Sequence, residues 1–172
     1  MKYIRKTSKN ITHNFLSELL ADRNMNFGSN PTLFFHPSWE NEIPPINLDN
    51  MQEGYELLKK HILNGSKIFI CVDSDVDGFT SAALVYCFLM NTYGTKYQFS
   101  IDYHIPEGKE HGLKTLMDLF EEKKKYDLII LPDSSSNDYE EHKRLKDLGY
   151  DILVLDHHEA DHYSENAVVI NN

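Results

Sequence analysis

KIFICVDSDVDGFTSAALVYCFLMNTY, residues 67–93, decides the fold. It opens on a short apolar run, 67–72, rich in β-branched and aromatic residues, which reads as a strand buried on both faces. Asp73, Asp75 and Asp77 follow, then Gly78. From Phe79 to Tyr93 the chain is apolar almost all round, the pattern of a buried helix. Downstream the unit recurs. Strands are expected at 97–105, 127–132, 151–156 and from 167, with helices from Leu113 to Lys124 and from Asp138 to Leu148. Strands alternating with helices define an α/β class, here a parallel sheet of about five strands flanked by helices.

Upstream, Phe15, Leu16, Leu19 and Leu20 fall on one face of a helix, and Pro31, Pro37, Pro44 and Pro45 impose an extended or looped stretch. A second helix is expected from an Asp49 cap to Leu63, with Met51, Tyr55, Leu58 and Ile62 as its apolar stripe and Gly65 as its stop. The chain thus divides into a lead-in, 1–47, and an α/β domain, 48–172.

Composition narrows the function. At 41% hydrophobic the 172 residues can build a core. No apolar stretch is long enough to span a membrane, and the basic N-terminus lacks the apolar run of a signal peptide. Cys71 and Cys87 sit in apolar surroundings and read as small core residues of a reducing cytoplasm, not as a disulfide. The net charge of −10 gives no bulk basic face for a polyanion. Part of the acidic count is instead expected to be a metal site, because carboxylates gathered at one point repel unless a cation sits among them.

In parallel sheets ligands collect at the carboxyl ends of the strands. Three of those ends are chemically loaded here: VDSDVDG with Asp73, Asp75 and Asp77; PDSSSND with Asp133; LDHHEAD with Asp156, His157, His158 and Asp161. In an extended segment Asp73, Asp75 and Asp77 would share one side until Gly78 breaks into the helix. Carboxylate oxygen with imidazole nitrogen suits Mn2+, Mg2+ or Zn2+. A D-x-D at a strand end is often just a loop or cap, but that reading does not gather all three clusters. A calcium loop fails, because the twelfth position from Asp73, where a Glu is required, is Leu84.

These segments carry a resemblance. VDSDVDGFTSA resembles the first motif of the DHH phosphoesterase family, DLIILPDSSSND the second, and LDHHEAD contains the Asp-His-His signature itself. YHIPEGKEHGL, AVVINN and the lead-in, LLADRNM through LDNMQEGYELL, are similar to segments of RecJ-like single-strand exonucleases in that family. The resemblance runs nearly the whole length, in order. It implies Asp73 and Asp75 as ligands of a first metal, Asp77 and His157 of a second, and Asp133 as the bridge. It implies His158 at the scissile phosphate and Asp156 orienting its neighbours, the two together the catalytic pair. Two Mn2+ ions are implied, with Mg2+ as substitute. The substrate implied is single-stranded nucleic acid, DNA first, contacted by Lys109, His111 and His104, with replication or repair proteins as partners.

The sequence departs from that pattern in places. Ser134-Ser135 replaces a usual Asn-Gly, Lys109 stands for an Arg, and His111 for a Tyr between two glycines. The family has a further metal-binding Asp beyond the Asp-His-His motif and a second domain over the cleft. The α/β domain is therefore expected to be incomplete and the substrate-binding domain absent. The function expected is two-metal exonucleolysis of single-stranded DNA. The alternatives are hydrolysis of oligoribonucleotides or cyclic dinucleotides by the same chemistry, and an inactive scaffold or replication partner, which would lose the ligands this chain keeps.

The remaining candidates read as structural. His13, His61 and His142 are expected on helices, at the surface or partly buried, His36 in the Pro-rich loop and His162 as a loop cap. Leu33–Trp39 is expected to pack the lead-in, Lys123–Lys125 to be a solvated helix end, and Ser134–Ser136 a tight turn.

Overall fold

Five strands form one parallel sheet: β1 (Lys67–Cys71), β2 (Ser100–His104), β3 (Leu128–Pro132), β4 (Asp151–Asp156) and β5 (Val168–Asn171). Their order is β2-β1-β3-β4-β5. The computed structural model describes residues 44–108, 111–122 and 125–172. Lead-in residues 1–43, with the expected helix at Phe15–Leu20, His13, His36 and Leu33–Trp39, lie outside them, as do Lys109, Lys123 and Lys124.

Helix α1 (Met51–Leu63) precedes β1, and three helices connect strands: α2 (Val76–Tyr93) between β1 and β2, the short α3 (Met117–Glu121), which continues a 3-10 turn at Lys114–Leu116, between β2 and β3, and α4 (Tyr139–Asp147) between β3 and β4. Strand side chains alternate between faces, so each face builds its own core. Phe69, Cys71, Ile129, Leu131, Ile152, Val154 and Val169 pack with Leu116, Met117, Phe120 and Leu145 from α3, α4 and the 3-10 turn. Ile68, Ile70, Leu128, Ile130, Leu153 and Ile170 pack with Ile62, Ala82 and Leu89 from α1 and α2. Each fully buried aliphatic or aromatic side chain contributes about 1.5–3 kcal/mol. The central strand β3 is buried at every position, as the continuous apolar run DLIILP requires.

Several local expectations are corrected. Asp49 does not cap α1. Asn50 stands there in the left-handed region (φ 61), and its side chain donates to Val169 O at 2.8 Å, tying α1 to β5. Helix α2 starts at Val76, three residues earlier than expected, and the predicted buried helix leaves Val76, Leu84 (71% exposed) and Phe88 in solvent. Cys87 is exposed too, unlike buried Cys71, and both thiols are free. His61 and His142 are buried, deeper than the surface or partly buried positions expected of them.

The strand order places the site. The chain leaves β1 for β2 on one side and returns to β3 on the other. The connections therefore part between the carboxyl ends of β1 and β3, and such a switch point opens a crevice where ligands bind in parallel sheets. Asp73 and Asp133 follow those two ends. No helix of the described residues is long and apolar enough to cross a membrane.

Candidate metal centre

The acidic run after β1 is not extended throughout. Asp75 is extended (φ −109, ψ −174) and caps α2, its carboxylate accepting the Gly78 N–H at 3.0 Å. The cap starts the helix at Val76, so Asp77 lies in its first turn, 66% exposed at the side chain. Gly78 is a helical residue packed on Asp73, not a break. A Cβ there would lie 2.6 Å from Asp73 Cβ and 2.7 Å from its carbonyl oxygen. That contact lets Asp73 tuck in, 4% exposed, at the foot of the helix. The Gly78 N–H bond holds the Asp75 carboxyl below the ordinary carboxylate range.

Asp133 closes β3 in the left-handed region (φ 65), its N–H bonded to Leu155 O at 2.7 Å. Asp is one of the few residues that adopts this conformation readily. One carboxylate oxygen is 3.0 Å from His157 Nε2. The other, Oδ2, is buried and has no hydrogen-bond partner. Burial, with Asp77 and Asp75 close by, pushes the Asp133 carboxyl up.

At the end of β4, Asp156 is a hub. Its side chain is 1% exposed. It accepts the backbone N–H groups of Ser136 (3.1 Å), His157 (2.8 Å) and His158 (3.2 Å), and His158 Nδ1 at 2.8 Å. Burial alone would raise its pKa, but these bonds outweigh it and bring it down to about 2. An ionised carboxylate can only accept, so His158 carries its proton on Nδ1 and presents Nε2 outward. The Asp156 bond raises the His158 pKa. Asn171, at the end of β5, locks the arrangement by donating at 2.8 Å to both Ser136 Oγ and His158 O. Neither Asn171 nor Ser136 was expected in the site. Their signal was the strand running into Asn in AVVINN, whose use depends on β5 lying next to β4.

The three strand ends meet around a cavity of about 530 Å³, whose walls include Asp73, Asp75, Asp133, Asp156 and His158. Two sets of side chains offer ligand atoms within 4.8 Å of one another: Asp73, Asp75 and Asp133, and Asp133, His157 and His158. Asp133 belongs to both. Asp77 stands at the edge of the second, 3.9 Å from His157 Nε2. His111 reaches the first, with Nδ1 3.0 Å from Asp73 Oδ2. His104 ends edge strand β2 beside Cys71, half-buried, and does not line the cavity. Lys109 lies outside the described residues. His162 stacks on Tyr139 at 4.1 Å, away from the cavity lining.

The residues fit a divalent cation. Among the described residues no lysine or arginine pairs with Asp73, Asp75, Asp77 or Asp133. A buried carboxylate oxygen without a donor is costly unless a cation meets it, and the donor set is hard oxygen with imidazole nitrogen.

A parallel α/β domain that gathers carboxylates and imidazoles from three strand ends at a topological switch point belongs to the class of α/β domains whose strand ends can hold divalent cations. The pattern of the DHH family, N-terminal domain, matches residues 67–172, and the chain belongs to that family. Over 159 residues it is 35% identical to a Bacillus subtilis (strain 168) protein provisionally named SPbeta prophage-derived single-strand DNA-specific exonuclease YorK, covering 91% of this chain and 26% of that protein. It is 29% identical over 146 residues to the single-stranded-DNA-specific exonuclease RecJ of the same organism, covering 84% of this chain and 18% of RecJ. The chain therefore spans about a quarter or less of the length of these relatives. Its fold is that of RecJ from Thermus thermophilus in complex with Mn2+ (TM-score 0.60, 22% identity, 76% of this chain and 18% of that one). A second structure, of exonuclease RecJ bound to manganese, matches with TM-score 0.62 at 22% identity, covering 76% of this chain and 33% of that one.

Proposed function

We propose that this chain carries the metal centre of a RecJ-like exonuclease that hydrolyses single-stranded DNA with two divalent cations, Mn2+ first. The observation that carries the reading is Asp133, a buried carboxylate shared by two ligand groups and left with one oxygen unmet. Asp73 and Asp75 would hold one cation, and His157 with Asp77 the other, with Asp133 between them. When bound, such a pair supplies a hydroxide from water near neutral pH and charge relief at the phosphate. The protein's own groups do the rest. His158, fixed through Nδ1 by Asp156, offers Nε2–H, when doubly protonated, to a phosphate oxygen or the leaving group. Asp156 keeps that ring and the His157 backbone in place, a positioning task that metal-site histidines ordinarily need. The specificity for single-stranded DNA in the names of YorK and RecJ supports the substrate, and cytoplasmic replication or repair proteins are the fitting partners.

The test is release of nucleotides from 5′-labelled single strands in Mn2+. Asp133→Ala should slow release by about a thousandfold or more, the scale on which a cation-held nucleophile acts. Equal cutting by the two proteins would overturn the reading. A two-nucleotide RNA that outcompetes the long strand would move the substrate to short oligonucleotides.

A further inference from the structure

We propose that His111 is a positioning residue of the metal centre, holding the Asp73 carboxylate in its ligating orientation and so setting the cation affinity of the Asp73–Asp75–Asp133 group. This rests on the metal reading above. Among the described residues His111 is the one side chain hydrogen-bonded to Asp73, with Nδ1 3.2 Å from Oδ1 and 3.0 Å from Oδ2. The contact is lopsided, because the imidazole is 58% exposed while the carboxylate is 4% exposed. Water surrounds most of the ring and does not select that pose, so the backbone must deliver it.

The loop is built to do so. Immediately after His111, Gly112 is left-handed (φ 67), and a Cβ there would stand 2.6 Å from Asp138 Oδ2. That same oxygen accepts the Leu113 N–H at 2.9 Å, and the Leu113 side chain is fully buried in the core. Asp138 and the core thus pin the chain one and two residues past His111, and only a residue without Cβ passes the pin. From there the ring falls over Asp73, with Ser74 Oγ 3.3 Å from each ring nitrogen.

The consequence is electrostatic and geometric. Asp73, Asp75 and Asp133 bring ligand oxygens within 4.8 Å of one another, and like charges that close push apart. An Nδ1–H donated to Asp73 restrains the carboxylate from turning away and leaves its outer lone pairs for the cation. Partners of this kind are worth about 10–100-fold in metal affinity.

The experiment is Mn2+ titration of the full chain, with free Mn2+ read by electron paramagnetic resonance, for wild type, His111→Ala and His111→Gln. His111→Ala should bind about 10–100-fold more weakly. His111→Gln, which keeps an N–H donor, should recover most of the loss. In the metal-free chain the His111 Nδ1–H resonance should move on Asp73→Asn. Unchanged affinity in His111→Ala, or His111→Gln no better than His111→Ala, overturns the proposal, as does an Nδ1–H insensitive to Asp73→Asn. A wild type that takes up no Mn2+ overturns the metal reading itself, and this one with it.

Discussion

Asp151 and Asp156 stand at opposite ends of one strand, β4, and their surroundings differ in kind. At the amino end, Asp151 accepts from Lys60 (2.8 Å), His61 Nε2 (3.0 Å) and Lys146 (3.1 Å). His61 in turn meets Ser66 Oγ at 2.9 Å. Every group there has a partner within the chain. At the carboxyl end, Asp156 is equally well served, but its neighbours across the crevice are not. Asp133 keeps a buried oxygen unmet, and Asp73, Asp75 and Asp77 gather with no lysine or arginine among the described residues to balance them. Both ends combine carboxylates with histidines, so composition does not separate them. Satisfaction does. A carboxylate with a full set of donors supports the fold, whereas one held unsatisfied beside others is reserved for something that arrives.

The largest expected effect sharpens that contrast directly. Mn2+ at a hundred times its dissociation constant should stabilise the wild type by about 2.7 kcal/mol, seen as a rise in melting temperature of roughly 5–10 °C. Asp133→Ala should lose the rise, and Asp151→Ala should keep it. An Mn2+ response that survives the first substitution and vanishes in the second would reverse the assignment of the two ends.

Next in size come opposite signs in the metal-free protein, measured by urea unfolding. Asp151→Ala strips buried His61 and two lysines of their acceptor and should cost about 2 kcal/mol, less than a fully buried pair because the lysines are half in solvent. Asp133→Asn removes a buried like charge and should raise metal-free stability by about 1 kcal/mol. Both substitutions destabilising equally would mean that the carboxyl-end cluster is structural as well.

The sheet was legible because β1, β3 and β4 are short, continuous apolar runs bounded by polar residues, the length and composition of strands buried on both faces. The ligating residue types were legible because they follow those runs. The local geometry was not. Reading Asp73, Asp75 and Asp77 as one extended edge missed that Asp75 caps α2, a competition between strand and helix settled by one hydrogen bond to Gly78 N. The burial of His61 and His142 was hidden as well. A lone histidine on a helix has no periodicity of its own, and its fate depends on what packs across from it. For His61 that is Asp151, 90 residues away. The switch point between β1 and β3 could not be read at all, since strand order is a property of the tertiary fold.

A further effect is a pH dependence in which half-buried Asp151 and buried His142 separate by window. Burial holds the Asp151 carboxyl up, but the bonds from Lys60, Lys146 and His61 outweigh it and leave it well below the ordinary range. An acid depressed in the folded state contributes stability that is present above its unfolded value, about 3.9, and lost as pH falls through the folded one. His142 is the reverse case chemically. It is 0% exposed, both ring nitrogens lack partners, and burial, partly offset by Asp138, lowers its pKa to about 4. Between about 6.5 and that value the unfolded chain binds a proton that the folded chain refuses, so stability falls as pH drops through this window. Unfolding free energy measured in Asp151→Asn should therefore flatten below about pH 4 relative to wild type, and in His142→Leu it should flatten between about pH 6.5 and 4. If His142→Leu leaves that upper limb unchanged, the acid sensitivity belongs to other groups, and the histidine is solvated or paired in a way its buried, partnerless position does not allow.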